Sequence, residues 1–373
     1  MHMRRKTGRR ALAALVTALV AVGLAACGSS SSSSSGVSGS GTTAAASSSG
    51  ISVKPKTIAV LDVTDASESI QALNQIASKE LKALGWKATF YDAGGNPVKI
   101  TQDATAIVQQ HPDAVLDVSV DSSQMRPQLL ALQQSNTPVC AFTNGGSAAA
   151  NALFSVIPAE DEYHMGFLLG QYIAKTVASA KVIMLANPQN NAGISREKGV
   201  MDGLKSNPQA KVVFRSVVDF ANPAGSAAQG VAAGLAKNPD ANVIIPIFDF
   251  STSPAVKAVQ QGNTKAKVYG FYVASDTAPF LRLGAKSPIA AVVDNSTTGT
   301  PGPCLDQLLK HFQTGAQLVK FPLNLSTNAV PFVYDVVTPQ NIAKLVASGN
   351  LQFTTAGQAD PWIAQWKKTY PAK

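Results

Sequence analysis

Residues 181–204 read KVIMLANPQNNAGISREKGVMDGL, and this stretch decides the fold prediction. Its first six residues form a short apolar run that is typical of a buried strand. Asn, Pro and Gly then predict a loop, after which Ser195 can cap a helix with apolar residues at helical spacing. A strand, a polar loop and a helix N-terminus together form the kind of junction at which open α/β sheets bind ligands.

Arg196 lies in the first turn of this predicted helix. The helix dipole disfavours a cation there unless an anionic or polar group faces it. We therefore predict that Arg196 faces a ligand. The alternative is a solvated arginine that pairs with Glu197 or with a nearby aspartate.

Strands and helices alternate on both sides of this stretch. Residues 57–63 predict a strand, and the DASE sequence at 65–68 resembles a capping box that starts the next helix. The pattern recurs at an offset of about 127 residues, where NPDA at 238–241 matches HPDA at 111–114. Such alternation predicts parallel strands joined by right-handed crossovers, and the repeat predicts two similar doubly wound α/β lobes with a cleft between them.

Three irregular segments separate the predicted lobes, at residues 143–152, at 294–303 and near 321–322. Three crossings between lobes would form a hinge that lets them close on a ligand. The predicted lobe boundaries are 53–147 plus 297–322 for the first lobe and 148–296 plus 323–373 for the second, with the tail packed on the second lobe.

The formal net charge of +9 is misleading, because five of the 31 basic residues lie within the first ten positions. The other 26 basic residues face 22 acidic ones, and no basic cluster with interleaved aromatic residues remains. Nucleic-acid binding therefore has little support.

Residues 1–26 predict a signal peptide, because a basic start is followed by an apolar run too short for a comfortable membrane span. The LAAC sequence at 24–27 resembles the bacterial lipobox, which implies cleavage before Cys27 and a diacylglycerol on its thiol. An ordinary secretory signal with an incidental cysteine is the alternative, and the export route stays open. Residues 27–52 are rich in Ser and Gly and predict a flexible tether.

Beyond Cys27 the chain has two more cysteines, Cys140 and Cys304. Two cysteines make neither a disulfide framework nor a metal site. An exported protein permits a bridge between them. The sequence nevertheless favours two unpaired cysteines.

The folded chain resembles the type I periplasmic binding proteins, especially the ribose-binding branch that serves sugar ABC transporters. The resemblance spans residues 57–341 and rests on the order of short pieces such as TIAVLDVTDASES, AGISREKGVMDGL, NPDANVIIPIFD and DVVTPQNI. It implies a lipid-anchored, extracytoplasmic monomer that closes on one small ligand, most simply a sugar or polyol, and docks on an ABC permease. It implies no catalytic residue, no cofactor and no metal.

Position-by-position transfer from that family implies eleven ligand-binding residues: Ser67, Ser69, Ile70, Thr143, Asn144, Arg196, Phe220, Phe248, Asp249, Tyr272 and Asn295. Arg196 and Asp249 keep the family's charged residues. A charged pair of the family falls instead at Thr143 and Asn144, and the family's first-lobe aromatic residues are replaced. A less polar small molecule is therefore an alternative ligand.

Several of these residues also have a purely structural interpretation. Phe220 and Phe248 could pack in a core, Tyr272 could face solvent at a strand end, and Asp249 could cap a helix.

Other functions fit the sequence less well. An enzyme on the same scaffold lacks support, since there is no G-x-S-x-G elbow, no phosphate loop with its lysine and no histidine cluster. A sensory module for a membrane receptor would bind its ligand in the same way and differ only in its partner. A repressor-like regulator would need an N-terminal helix-turn-helix, where the chain has its signal and serine-rich linker.

Overall fold

The computed structural model describes residues 50–142, 152–158, 160–295, 301–319, 333–348, 351 and 360–372. Within these ranges the protein is an α/β structure with two separate sheets, which confirms the predicted fold class. The predicted signal peptide, Cys27, nearly all of the predicted tether, Thr143 and Asn144 lie outside the described residues.

The first lobe is built on a parallel sheet with the strand order β2-β1-β3-β4. Its elements are β1 (Thr57–Asp62), α1 (Glu68–Ala83), β2 (Lys87–Asp92), α2 (Pro97–Gln110), β3 (Ala114–Val118), α3 (Arg126–Gln134) and β4 (Val139–Phe142). Helix α1 begins where the Ser67 side chain accepts a hydrogen bond from the Ile70 amide, and Gly85 follows its end with a φ of 67°.

The second lobe has a six-stranded sheet with the order β10-β9-β8-β7-β5-β6, in which only the β10–β9 pair is antiparallel. Its elements are α4 (Glu162–Thr176), β5 (Lys181–Ala186), α5 (Asn191–Leu204), β6 (Lys211–Val217), α6 (Pro223–Lys237), β7 (Val243–Pro246), α7 (Thr252–Gln261), β8 (Lys267–Phe271), α8 (Ala278–Leu281), β9 (Ile289–Asn295), β10 (Tyr334–Val337) and α10 (Ile342–Ser348). The helix between β9 and β10 in the chain, α9 (Pro301–Thr314), returns to the core of the first lobe.

Helix α5 starts four residues earlier than the sequence suggested. Asn190 is its N-cap, and the Asn190 side chain accepts a hydrogen bond from the Gly193 amide at 2.8 Å. The prediction that Ser195 caps this helix is therefore wrong, and Arg196 lies in the second turn. The helix dipole therefore gives little reason to expect an anionic or polar group opposite Arg196, because its effect fades beyond the first turn.

The C-terminal helix α11 (Asp360–Thr369) contacts α1 of the first lobe. Trp366 is fully buried in the first-lobe core, and its indole N–H donates to Asp306 at 3.1 Å. The expectation that the whole tail packs on the second lobe thus fits α10, whose Ile342 lies in the second-lobe core, but not α11.

Cys140 and Cys304 form a disulfide between β4 and α9, with Cα atoms 6.2 Å apart. That spacing is within the usual disulfide range. The preference for two unpaired cysteines is therefore wrong. The two cysteines are 164 positions apart in the chain, and they lie close together because α9 returns to the first lobe. The spacing of the cysteines in the sequence does not reveal this return.

In the described ranges no helix combines the length and apolar character needed to cross a membrane.

Candidate functional site

A cavity of about 40 Å³, called the cleft cavity below, opens between the two lobes. Eight of the eleven residues implied by the resemblance line it: Ser67, Ser69, Ile70, Arg196, Phe220, Phe248, Asp249 and Tyr272. They come from the start of α1 in the first lobe and, in the second lobe, from α5 and from the residues that follow β6, β7 and β8. The junctions after β1 and after β5 therefore meet in a cleft between the two lobes, and the repeat predicted such a cleft.

Asp249 joins the lobes directly. Its carboxylate accepts hydrogen bonds from the Ser67 hydroxyl at 2.9 and 3.0 Å and from the Ser69 amide at 3.1 Å. Asp249 starts a short 3-10 turn but makes no cap there, so its charge instead faces the N-terminus of α1 in the other lobe. Glu68 adds a second link, because it accepts from the Ser275 amide at 2.8 Å and from the Ser275 hydroxyl at 2.7 Å.

The two lobes also touch through backbone. Gly95, at a φ of 71°, approaches Phe220 so closely that a Cβ at this position would lie 2.2 Å from the Phe220 carbonyl oxygen. No side chain fits there, since even one added carbon would clash with the second lobe. Together with the Asp249 and Glu68 contacts, this approach shows a closed cleft.

Arg196 is buried, with only 5% of its surface exposed. Its Nη2 donates to Glu162 at 2.9 Å and to the Tyr272 hydroxyl at 2.6 Å, and its Nε also donates to Glu162. Its Nη1 donates to the carbonyl of Ile247 at 3.1 Å. Burial, the largest single effect, would lower the pKa of Arg196, but the charge and hydrogen bonds of Glu162 together with Tyr272 and Glu160 raise that pKa. The alternative of a solvated arginine is therefore wrong.

Arg196 also does not pair with Glu197, the partner that the alternative named. Glu197 instead accepts a hydrogen bond from Arg215 at 2.7 Å. The anionic group that faces Arg196 is Glu162 on α4, a helix that the sequence analysis did not predict.

Glu160 lies beside this pair and lines the cleft cavity. Its Oε2 accepts from the Tyr272 hydroxyl and from the Asn295 side-chain amide, each at 2.6 Å. Burial, and then the charge of Glu162, raises the pKa of Glu160 to about 8. Asn295 does not line the cavity, because it lies behind Glu160 with 1% of its surface exposed.

Three phenylalanine rings form an aromatic cluster along the second-lobe side of the cavity. The Phe248 and Phe250 rings are stacked with centroids 5.3 Å apart, and the Phe220 ring meets both edge-on at 4.8 and 5.3 Å. Phe220 and Phe248 thus pack against neighbours and line the cavity at the same time. Such a surface suits the C–H face of a ring or an apolar group.

Two cavity residues adopt a left-handed backbone conformation. Ser119, just after β3, has a φ of 64°, and Tyr272, just after β8, has a φ of 54°. A bulky residue rarely takes this conformation unless its surroundings enforce it, and such strain concentrates at functional sites. Tyr272 is 3% exposed, so its interpretation as a solvent-facing strand end is wrong.

A second cavity of about 70 Å³, called the neighbouring cavity below, adjoins the first. The two share Val63, Ser119, Asn190 and Phe220 in their linings. The neighbouring cavity is more polar, and its acidic residues are Asp121 and Asp219.

Sequence reasoning missed five polar or aromatic residues that line the cleft cavity or contact its lining, namely Glu160, Glu162, Ser119, Asn190 and Phe250. The buried spacing of Met165, Leu169 and Ile173 marks α4 and could have drawn attention to Glu162 at its start. Thr143 and Asn144 fall outside the described residues, so their role stays a prediction. Within the described ranges, no group of three or more metal-binding side chains comes together.

A model of the periplasmic binding protein domain family matches residues 32–300. A comparison with curated proteins found no match. Solved structures with the same fold include a galactofuranose binding protein, which is 16% identical with a TM-score of 0.69 over 82% of this chain and 99% of its own.

Two further structures are similar. A solute binding protein of an ABC transporter from Agrobacterium vitis with bound D-fucose is 21% identical, with a TM-score of 0.69 over 79% of this chain and 99% of its own. The Caulobacter myo-inositol binding protein with its bound inositol is 21% identical, with a TM-score of 0.66 over 78% of this chain and 95% of its own.

Proposed function

This chain belongs to the periplasmic binding protein family, and from that premise we propose that it closes on a small solute and delivers it to an ABC importer. A sugar or polyol is the ligand class that we favour. The observation that carries the proposal is a single cavity lined from both lobes by residues at the positions that the family resemblance implies. Clefts between lobes are common ligand sites.

The chemistry of the cavity supports a hydroxylated ligand. Ser67 and Asn190 offer groups that both donate and accept hydrogen bonds, and Asp249 accepts them. The Phe220 ring provides a face for the C–H side of a sugar ring. The fucose and the inositol bound by the similar structures support the same ligand class.

We also propose that a lipid on Cys27 holds the protein at the outer face of the cell membrane. Acyl chains contribute about 0.8 kcal/mol for each buried methylene, so several chains suffice to anchor a folded domain. A Cys27→Ser variant should move from the membrane fraction to the soluble fraction. Retention of that variant in the membrane would contradict the anchor.

A thermal-shift screen of the protein against sugars, polyols, nucleosides and aromatic acids tests the ligand class. A ligand that binds only the folded state raises its stability by RT ln(1 + [L]/Kd), or about 2.7 kcal/mol at a hundredfold excess over Kd. Binding of a sugar or polyol supports the proposal. If no sugar or polyol raises the melting temperature, the proposed function is rejected, and a ligand consumed by the protein would favour an enzyme.

Two variants with matched controls test the site. Phe220→Ala and Arg196→Ala should remove most of the ligand-induced shift. Phe90→Ala and Arg215→Ala remove the same side chains from exposed positions outside the linings of both cavities and should preserve the shift. A folded Arg196→Ala variant with full affinity would show that this residue is not part of the binding site.

A further inference from the structure

The cleft is acidic, although the chain as a whole carries a net positive charge. Among the described residues, the charged groups that line the cleft cavity are Glu160, Asp249 and Arg196. The neighbouring cavity adds two more acids, Asp121 and Asp219, and no cation. A cleft lined by one sign of charge attracts ligands of the opposite sign.

The one cation in the described lining is already neutralised. Arg196 meets both carboxylate oxygens of Glu162, which lies outside the lining. The other side-chain hydrogen bonds that Arg196 donates within the described structure go to the Ile247 carbonyl and the Tyr272 hydroxyl. Arg196 therefore does not balance the remaining carboxylates.

Of the two acids in the cleft cavity, Asp249 is well supplied with donors, because both of its oxygens accept hydrogen bonds. Glu160 is not. It is 4% exposed, and within the described part of the chain its Oε1 has no hydrogen-bond partner. A buried polar atom without a partner costs about 1–3 kcal/mol, and more when it is charged. Glu160 Oε1 therefore lacks a hydrogen-bond partner, and the ionised form of Glu160 needs a donor there.

The same cavity presents the rings of Phe220, Phe248 and Phe250. An aromatic face attracts a cation, with an interaction of about 0.5–2 kcal/mol that depends on how far the cation is desolvated. A hydroxyl group would also donate to Glu160, but it carries no charge and would leave the excess of carboxylates in place. An ammonium group would donate a hydrogen bond to Glu160 Oε1, would carry a charge opposite to that of the carboxylates, and would interact favourably with the aromatic rings.

We propose that the ligand carries a protonated amine that donates a hydrogen bond to Glu160 Oε1 while its hydroxylated frame lies against the phenylalanine rings. This inference rests on the proposed function and narrows its ligand class to amino sugars and amino polyols. Binding forms no covalent bond between ligand and protein, and the one bond that breaks is the O–H bond of protonated Glu160. The proton that Glu160 carries below its pKa passes to solvent when the ammonium group binds.

Calorimetric titration with matched ligands tests this inference. The probes are D-glucosamine with D-glucose, D-galactosamine with D-galactose, and D-mannosamine with D-mannose, in which one amine replaces one hydroxyl. In at least one pair the amino form should bind about tenfold tighter or more, as expected for a charge pair in a desolvated site. Near pH 7 its binding should also release protons, detected as a heat that changes with the ionisation enthalpy of the buffer.

Several charged or titratable groups face Glu160 and shape this proton release: Glu162, Arg196, Tyr272 and Tyr334. Glu160→Gln keeps an acceptor for Tyr272 and Asn295 but removes the charge, so the ratio within each pair should fall to about one. Glu197→Gln, which removes an acid paired with Arg215 on the surface, should leave the ratio unchanged.

The inference is overturned if no amino form binds more tightly than its neutral partner, or if Glu160→Gln retains the preference in a folded protein. Tight binding of the neutral sugars without any preference overturns this inference alone and leaves the proposed function standing. Failure of every sugar and polyol, including those of the wider screen, rejects both.

Discussion

Arg196 and Glu162 form an ion pair whose side chains are 6% and 1% exposed. Removing one partner of such a pair leaves a buried charge without compensation, which typically costs about 3–5 kcal/mol. We expect Glu162→Ala to lower the free energy of unfolding, measured in urea, by about that amount. The double variant Glu162→Leu with Arg196→Met should be less destabilised than either single change, because it leaves no unpaired charge.

Arg215 and Glu197 provide the matched control, since the same two residue types pair there with side chains 54% and 23% exposed. Exposed pairs contribute about 0–1 kcal/mol, so Glu197→Ala should change the stability little. If Glu162→Ala and Glu197→Ala lower the free energy of unfolding equally, burial does not determine how much the Arg196–Glu162 pair contributes to stability.

The environment of Asp62 disfavours the charged form of its carboxyl group. It is 1% exposed, its Oδ1 has no hydrogen-bond partner among the described residues, and burial, followed by the charge of Asp65, raises its pKa from 3.8 to about 7. A raised pKa means that folding binds a proton, so the stabilisation is full below about pH 4 and is lost as the pH rises through about 7.

Asp62→Asn removes this titration and keeps an oxygen for the Asn74 side-chain amide, which donates to Asp62 at 2.9 Å. We expect the variant to exceed the wild type in stability at about pH 8, by up to about 4 kcal/mol, and the difference to shrink towards about pH 4. Thermal unfolding across this range measures it. A difference that stays constant with pH would contradict the assignment to Asp62.

At the scale of elements, helices α4 and α5 pack unusually closely because each carries two glycines one turn apart. They are Gly166 and Gly170 on α4, and Gly199 and Gly203 on α5. A Cβ at Gly199 would lie 2.1 Å from the Tyr163 carbonyl oxygen, and one at Gly166 would lie 2.0 Å from the Arg196 carbonyl oxygen. This approach is what brings Glu162 within reach of Arg196.

We therefore expect Gly199→Ala to force the two helices apart and to lower the free energy of unfolding by about 1–3 kcal/mol, as overpacking does. Gly262→Ala is the control, because a Cβ at that helix end would have its nearest neighbour at 3.4 Å. Chemical denaturation measures the free energy of unfolding of both variants. A neutral Gly199→Ala would contradict the close packing of α4 on α5.

Most elements of this fold could be predicted, because strands such as Lys181–Ala186 are continuous apolar runs and their ends carry turn residues. Helix α4 escaped prediction because its glycines interrupt the apolar pattern at the surface it shares with α5. The ion-pair partner of Arg196 was not predicted either, because Glu162 lies on α4, 34 residues earlier in the chain. The first turn of α5 was misplaced because several asparagines precede it and each can serve as an N-cap.

At the scale of the whole molecule, the disulfide between Cys140 and Cys304 ties α9 back to the first lobe across 164 residues. Closing a loop of that length removes freedom from the unfolded chain and stabilises the fold by about 2–5 kcal/mol. Peptide mapping after alkylation in denaturant should find both cysteines unlabelled until the protein is reduced. Reduction should lower the melting temperature, and labelling of both without reduction would contradict the bridge.

The cleft is held closed by hydrogen bonds from one lobe to the other, before any ligand is considered. Asp249 accepts from Ser67 and Ser69, and Glu68 accepts from Ser275. Hydrogen bonds to charged groups contribute about 1.5–3 kcal/mol each, so the loss of Asp249 should shift the balance between closed and open forms by about tenfold or more. We expect Asp249→Ala to increase the radius of gyration of the ligand-free protein in small-angle X-ray scattering.

Asp240→Ala is the control for this change, because Asp240 is an exposed acid that pairs with Lys181 outside the linings of both cavities. Glu68→Ala removes both hydrogen bonds of the second link, and Glu68 lies outside the lining of the cleft cavity. The effect of this variant on ligand affinity therefore reports the closure of the cleft and not a lost ligand contact. The apparent Kd equals the intrinsic Kd divided by the fraction of competent molecules, so opening should weaken binding by the factor by which the closed fraction falls. If Glu68→Ala opens the cleft in scattering but leaves the affinity unchanged, the closed form described here is not the one that binds the ligand.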